Sequence, residues 1–433
     1  MKISKLHIDQ FRHLENLDFD FTYPEDFHIE EKRGKPLDKI CFIGQSATGK
    51  TGLLELIHEY TTNILDIELI DNTYLAGLGN PIKNIDGAIT FLIGDEVLLL
   101  RNKEITFKNL KYKYENKGGT VTPLIPYQDR IDTFYFKANL ISDKNIDVFT
   151  KNPIDLFEKY KDQTSVKIEN ILHQIPYSTI FNDEVDTKIW LSLLSEILEY
   201  RKKFNQKMSE LIHKGLLANQ KKLSSEFEKW QNQNPNKLEE FAKKFNPILE
   251  KLNLEVDIID TEYSIPIKNK KNDEIIPIQN TSTGTKGLLL SFLPLFKLET
   301  KDSIILIDEP ERSLFPDMQM ELMDNYQNLA PEAQFIVATH SPFVAASFEP
   351  EERFILYFDE DGKVAVRRGS SPIGDDPNDM LKNDFGVNYY NKHGEEAYQK
   401  YIRLKQEVAN ETNPKRKKEL LLETVKLGDT YNF

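Results

Sequence analysis

The sequence predicts an α/β fold in which a mainly parallel sheet carries an antiparallel β lobe and an inserted helical subdomain. Three observations support this. A short β-branched run, Lys39-Ile-Cys-Phe-Ile43, feeds straight into a glycine-containing loop and a helix. A second apolar run, Ile304-Ile-Leu-Ile307, ends on two carboxylates. Strands alternate with helices through the last third of the chain, the pattern of parallel strands joined by crossover connections.

A chain of 433 residues is longer than one mid-sized domain, so two or three structural units are expected. With 39% hydrophobic and 29% charged residues it is too apolar for disorder and builds a core. The balance of 56 basic against 70 acidic side chains, a net of −14, repels phosphate backbones on average, so any nucleic-acid contact needs a local basic patch. The single cysteine, Cys41, cannot form an internal disulfide, which suits a reducing cytoplasm. No apolar run approaches the roughly 18 residues of a membrane helix, and the amino terminus lacks the apolar stretch of a secretory signal. We therefore expect a soluble cytoplasmic protein with no membrane partner.

Element by element, Ile3, Leu6, Ile8 and Phe11, then Leu14, Leu17, Phe19 and Phe21, alternate with polar residues, which predicts two strands with one wet face. Lys39–Ile43 suits a buried central strand, followed by a helix from Thr51 to about Thr62. Gly87–Tyr114 reads as an antiparallel group of strands turned at Gly94-Asp95 and similar pairs. From Pro153 to Leu252 the chain is rich in Lys, Glu, Gln and Leu, and it reads as helical. Trp190, Leu194, Ile197, Phe204, Met208 and Leu211 form a stripe broken at Arg201 and Gly215. It predicts either a subdomain packed on itself or a projecting hairpin. Beyond it come a strand pair over Leu254–Ile278, helix Lys286–Leu298, strand Ser303–Ile307, helix Met318–Leu329, strand Gln334–Ala338, hairpin Phe354–Arg367 and two terminal helices, Glu395–Glu411 and Lys415–Lys426. The expected organisation is 1–137, then an inserted helical subdomain over 138–253, then 254–433.

Gly44-Gln45-Ser46-Ala47-Thr48-Gly49-Lys50-Thr51 fills every fixed position of a phosphate loop. Glycines let backbone N–H groups and a helix amino terminus face phosphate oxygens, Lys50 reaches the β and γ phosphates, and the Thr51 hydroxyl binds Mg2+. Asp308 and Glu309 close the second strand at the carboxyl edge of the sheet, where Asp308 would hold Mg2+ and Glu309 would act as general base on water. The ligand this pattern expects is a nucleoside triphosphate. The basic cluster from Arg201 to Lys222 reads first as a solvated helix face, and Asp359-Glu360-Asp361-Gly362 as a hairpin turn.

With these motifs in order, the chain resembles the P-loop NTPases of the ATP-binding-cassette superfamily, in the soluble branch of RecF, Rad50 and SMC-type heads. Ile8-Asp-Gln-Phe11-Arg12 is similar to that branch's first strand. Thr281-Ser282-Thr283-Gly284-Thr285-Lys286 resembles the cassette signature, with Thr281, Thr283 and Thr285 departing from its usual residues. Glu309-Pro310 followed by Ser313-Leu314-Phe315-Pro316 resembles its D-loop, and His340 stands where the switch histidine would be. Gln128 is a candidate for the glutamine loop, and Arg12 either approaches the nucleotide or stays on the surface beside Phe11. About 230 residues separate phosphate loop from signature, too few for a long coiled coil and more than importer cassettes carry. That length, with the terminal helices, looks most like the compact ATPases of Septu-, PARIS- and retron-type anti-phage systems.

The resemblance implies an ATPase whose Ser282 and Gly284 cap the γ-phosphate bound by a second copy, giving a homodimer or higher even-numbered oligomer. It also implies a separately encoded effector, a nuclease. The alternatives are a RecF-like repair ATPase that binds DNA directly and a nucleotide-locked scaffold with little turnover.

Overall fold

The computed structural model describes residues 1–76, 86–101, 104–113, 118–126, 132–149, 178–260, 262–373, 377–387 and 392–431. They fall into two compact units, Met1–Gly374 and Asp375–Phe433. Gln128 and the stretch 150–177 of the expected helical insert lie outside the described residues.

The first unit opens with β1 (Lys2–Phe11) and β2 (Leu14–Asp20), paired antiparallel as the alternation predicts. The inward residues change phase between Ile3 and Leu6, and a bulge opposite the neighbouring strand absorbs the slip. Then come β3 (Lys39–Gly44), α1 (Lys50–Leu65), the short β4 (Glu68–Ile70) and β5 (Tyr74–Ala76), and the meander β6 (Asp86–Ile93), β7 (Glu96–Arg101), β8 (Glu104–Phe107) and β9 (Leu110–Lys113). β6 pairs with β1, so the antiparallel lobe runs β2-β1-β6-β7-β8-β9. β10 (Val121–Pro123) pairs with β4.

Next along the chain stand β11 (Thr133–Phe136), the short α2 (Asp143–Asp147) and β12 (Ser178–Phe181). β12 is a correction: the segment expected to be helical gives a strand to the main sheet, pairing parallel with β11. The helices α3 (Thr187–His213), α4 (Gln220–Gln233) and α5 (Lys237–Glu250) follow. Trp190, Leu193, Leu194 and Ile197 bury the root of α3, and the Trp190 ring packs against Phe149 and Phe181. Gly215, at φ 66, ends the helix, and α4 folds back so that Phe227 and Trp230 meet Tyr200 and Phe204. The stripe therefore closes a hairpin on itself. Arg201 does not break it, because the side chain is buried and donates to the Tyr263 carbonyl.

β13 (Leu254–Val256), β14 (Ile267–Asn269) and β15 (Ile275–Ile276) form a small antiparallel sheet. α6 (Thr283–Lys297) begins a turn earlier than the sequence suggested and packs its Phe292 and Phe296 on Phe245 and Phe241 of α5. β16 (Ile304–Asp308) follows. The helix expected over Met318–Leu329 is instead split at Glu321 into α7 (Pro316–Met320) and α8 (Leu322–Leu329). β17 (Gln334–Thr339), α9 (Pro342–Ala345), β18 (Arg353–Phe358) and β19 (Val364–Arg368) complete the unit.

The main sheet runs β12-β11-β16-β17-β3-β18-β19, parallel throughout except for β19. Strands β16 and β17 are buried along their whole length, which explains their unbroken apolar runs. The two sheets share one core, in which Phe19 and Phe21 of the lobe meet Phe42 and Phe354. Gln334, fully buried, joins them: its Oε1 accepts from the Ile3 N–H at 2.7 Å, and its Nε2 donates to the carbonyls of Ile3 (2.9 Å) and Leu37 (2.8 Å).

The second unit holds α10 (Pro377–Asn383), α11 (Lys392–Asn410) and α12 (Pro414–Tyr431), the last two packed on each other with a Lys400–Glu423 ion pair at 2.8 Å. Among the described residues no helix is long and apolar enough to cross a membrane.

Candidate nucleotide site

The loop 44–51 leaves β3 and turns into α1. A Cβ on Gly44 would lie 2.3 Å from the Leu356 carbonyl oxygen, so only glycine lets the chain pass here. Ala47 holds φ 66, and Gly49 opens the helix at φ 94. No side chain caps α1, which leaves its first N–H groups and the positive end of its dipole for an anion.

Lys50 is 6% exposed and donates to the carbonyls of Gly44 (2.8 Å) and Gln45 (3.0 Å). Burial lowers its pKa to about 8, against the pull of Asp308, Glu309 and Glu311. Thr48 is buried and donates to Gln45 O, bracing the loop from within.

β16 carries Asp308 to the same edge. The Thr51 hydroxyl donates to its two oxygens at 3.0 and 3.2 Å. Burial raises Asp308 to about 6; the Thr51 bond opposes this and Glu309 adds to it. A neutral and an anionic oxygen side by side suit Mg2+, which takes one or two protein oxygens and fills its sphere with phosphates and water. Among the described residues no three His, Cys, Asp or Glu side chains form a metal cage of their own.

Glu309 has left-handed backbone, φ 51, and its N–H donates to Ala338 O at 2.9 Å. Strain of this kind concentrates at functional positions. Beyond β17 lies His340, whose pKa is lowered by burial and then by Lys50, which favours the neutral ring. Ser46, Ala47, Gly49, Lys50, Thr51, Asp308, Glu309 and His340 thus line one cleft of about 450 Å³, within the roughly 300–1,000 Å³ range of ligand pockets.

Ser282 and Gly284 do not line that cleft. Ser282 is the N-cap of α6: its Oγ accepts from the Thr285 N–H at 3.1 Å and lies 2.9 Å from Thr285 Oγ1. Gly284 packs on the loop after β16, where a Cβ would stand 2.5 Å from Ser313 O. Gly284 lines a separate small cavity of about 50 Å³ together with Asp308 and Glu309.

Arg12 is also outside the cleft. It lies over the Phe11 ring and pairs at 2.8 Å with Glu55 of α1. The other Glu55 oxygen is 3.4 Å from Lys137 Nζ.

Three contributors escaped sequence reading. His13, in the β1–β2 turn, lines the cleft, but a single histidine there carries no pattern. Glu311 accepts the His340 N–H at 2.8 Å. Gln319 donates to Leu314 O at 2.7 Å and accepts from the Ser341 hydroxyl, so the loop after β16 is tied to the end of β17.

The parallel sheet and its carboxyl-edge cleft are those of a P-loop ATPase head. Residues 1–345 match the profile of the family described as AAA ATPase domain, and the chain belongs to that family. Septu protein PtuA of Bacillus thuringiensis is 35% identical over 72 residues, 17% of this chain; the match spans only 18% of PtuA. The retron Vc95 probable ATPase of Vibrio cholerae serotype O1 biovar El Tor is 24% identical over 377 residues, covering 78% of this chain and 73% of that protein. Both fit the resemblance read from the motifs. Among solved structures, an SMC head bound to the C-terminal winged-helix domain of ScpA superposes with a TM-score of 0.42 at 14% identity, covering 86% of this chain and 98% of that one.

Proposed function

We propose that this chain binds ATP with Mg2+, hydrolyses it, and uses the cycle to clasp and release a second copy of itself, controlling a separately encoded nuclease in anti-phage defence. One observation carries the reading: Lys50, Thr51, Asp308, Glu309 and His340, brought by three strand ends, face a single cleft. Bound Mg2+ would neutralise charge on the β and γ phosphates. Thr51 and Asp308 hold it. Lys50 exchanges its bonds to Gly44 and Gln45 for phosphate oxygens. Glu309 takes the proton of the water that attacks the γ-phosphorus as the bond to the β-phosphate oxygen breaks. His340, neutral, donates to the γ-phosphate.

Ser282 and Gly284 have no place in their own cleft, which supports a role on a partner's phosphate. Loss of that phosphate then loosens the pair. The defence assignment draws on the Septu and retron relatives.

The test is Glu309→Gln. Hydrolysis is expected to fall roughly 10²–10⁴-fold while nucleotide binding persists and ATP-bound dimers accumulate in light scattering. Unchanged turnover would overturn the reading. Co-purification with the product of an adjacent nuclease gene tests the effector.

A further inference from the structure

The geometry points to Tyr135 as a positioning residue for the hydrated cation held between Thr51 and Asp308. This deepens the nucleotide reading and rests on it.

β11 runs parallel to β16, with Tyr135 opposite Leu306 and Phe136 opposite Ile307. Side chains alternate along a strand, so Tyr135, Leu306 and Asp308 share one face of the sheet, the face covered by α1. The Tyr135 ring is 1% exposed, with the His58 ring of α1 at 5.6 Å and Lys137 Nζ at 5.4 Å. Its hydroxyl is buried and has no hydrogen-bond partner among the described residues. Asp308 and Glu55 both add to the effect of burial in holding the phenol protonated, so both carboxylates lie within electrostatic reach.

Neither carboxylate takes the hydroxyl. The two Glu55 oxygens are engaged by Arg12 and Lys137, and the two Asp308 oxygens by Thr51. Phenylalanine would fill the same space without burying an unpaired hydroxyl, so packing does not explain the oxygen. A cation bound at Thr51 and Asp308 does. Mg2+ keeps several waters, and each is a strong donor that needs an acceptor inside the fold. Tyr135 supplies a neutral one beside two acids already in use, and so orients the hydrated ion against Asp308.

Isothermal titration of ADP into the full chain, with and without Mg2+, compares the parent with Tyr135→Phe. Without Mg2+ the two proteins should bind ADP equally. With it, the gain in affinity should be about 3–10-fold smaller in the variant, the loss of one hydrogen bond. Unliganded Tyr135→Phe should melt at or above the parent temperature, because no bond is lost. An undiminished Mg2+ gain, or a lower melting temperature, overturns the assignment. Absence of any ADP binding by the parent instead overturns the nucleotide reading beneath it.

Discussion

Two helices begin at the candidate machinery, and they begin differently. α1 starts at Gly49 in left-handed backbone with no side chain on its terminal N–H groups. α6 starts at Ser282 in extended backbone, and the Ser282 hydroxyl satisfies the Thr285 N–H. The first terminus is built to be completed by an anion. The second already has one of its N–H groups satisfied, so a phosphate that takes the Thr285 N–H must displace the cap, worth about 1 kcal/mol. Standing occupancy suits the first, and reversible docking the second.

Each half of that contrast can be tested. The largest effect is expected at α1: Lys50→Ala removes a charged donor worth about 1.5–3 kcal/mol, so ADP affinity should drop roughly 10–150-fold by calorimetry. Next is pH. The Lys50 pKa is depressed from 10.5 to about 8. Its contribution to stability is therefore present above pH 10.5 and lost as pH falls through 8, where a buried ammonium must be tolerated. Phosphate reverses that preference, so ADP affinity should weaken toward the Lys50→Ala value above pH 8, by up to about tenfold per unit. The smallest effect belongs to α6. Ser282→Ala should lower unfolding free energy by about 1 kcal/mol in urea, equally at pH 6 and 9, because no titratable group shares the cap. If the mutation also cost monomeric ADP affinity as much as Lys50→Ala does, the two termini would not differ as described.

What could be read from sequence follows the same division. The phosphate loop and the Asp308-Glu309 pair were legible because phosphate chemistry demands particular residue types at set intervals after apolar strands. The start of α6 was not. Thr283, Gly284 and Thr285 are poor helix formers, and the turn exists because Ser282 caps it and Gly284 fits under Ser313. β11 and β12 were missed for another reason: four residues are too few for a period, and β11 is buried on both faces. Tyr135 and Lys137, at that end of the sheet, went with them. Of the Arg201–Lys222 cluster, expected to be a solvated face, Lys203, Lys207 and Lys214 lie at the helix surface in ion pairs, whereas Arg201 is buried against the Tyr263 carbonyl. Lys203 pairs with Glu199, and Lys207 and Lys214 both pair with Glu210.

Far below the cleft, the Gln334 amide does for the two sheets what a peptide group does within one. It meets both polar atoms of Ile3 and the carbonyl of Leu37 in a space sealed from solvent. To shear the lobe past the parallel strands would strand all of those groups dry at once. The six-stranded lobe and the foot of β17 must therefore swing as one lever, and whatever the cleft tells the rest of the molecule has to leave by another joint.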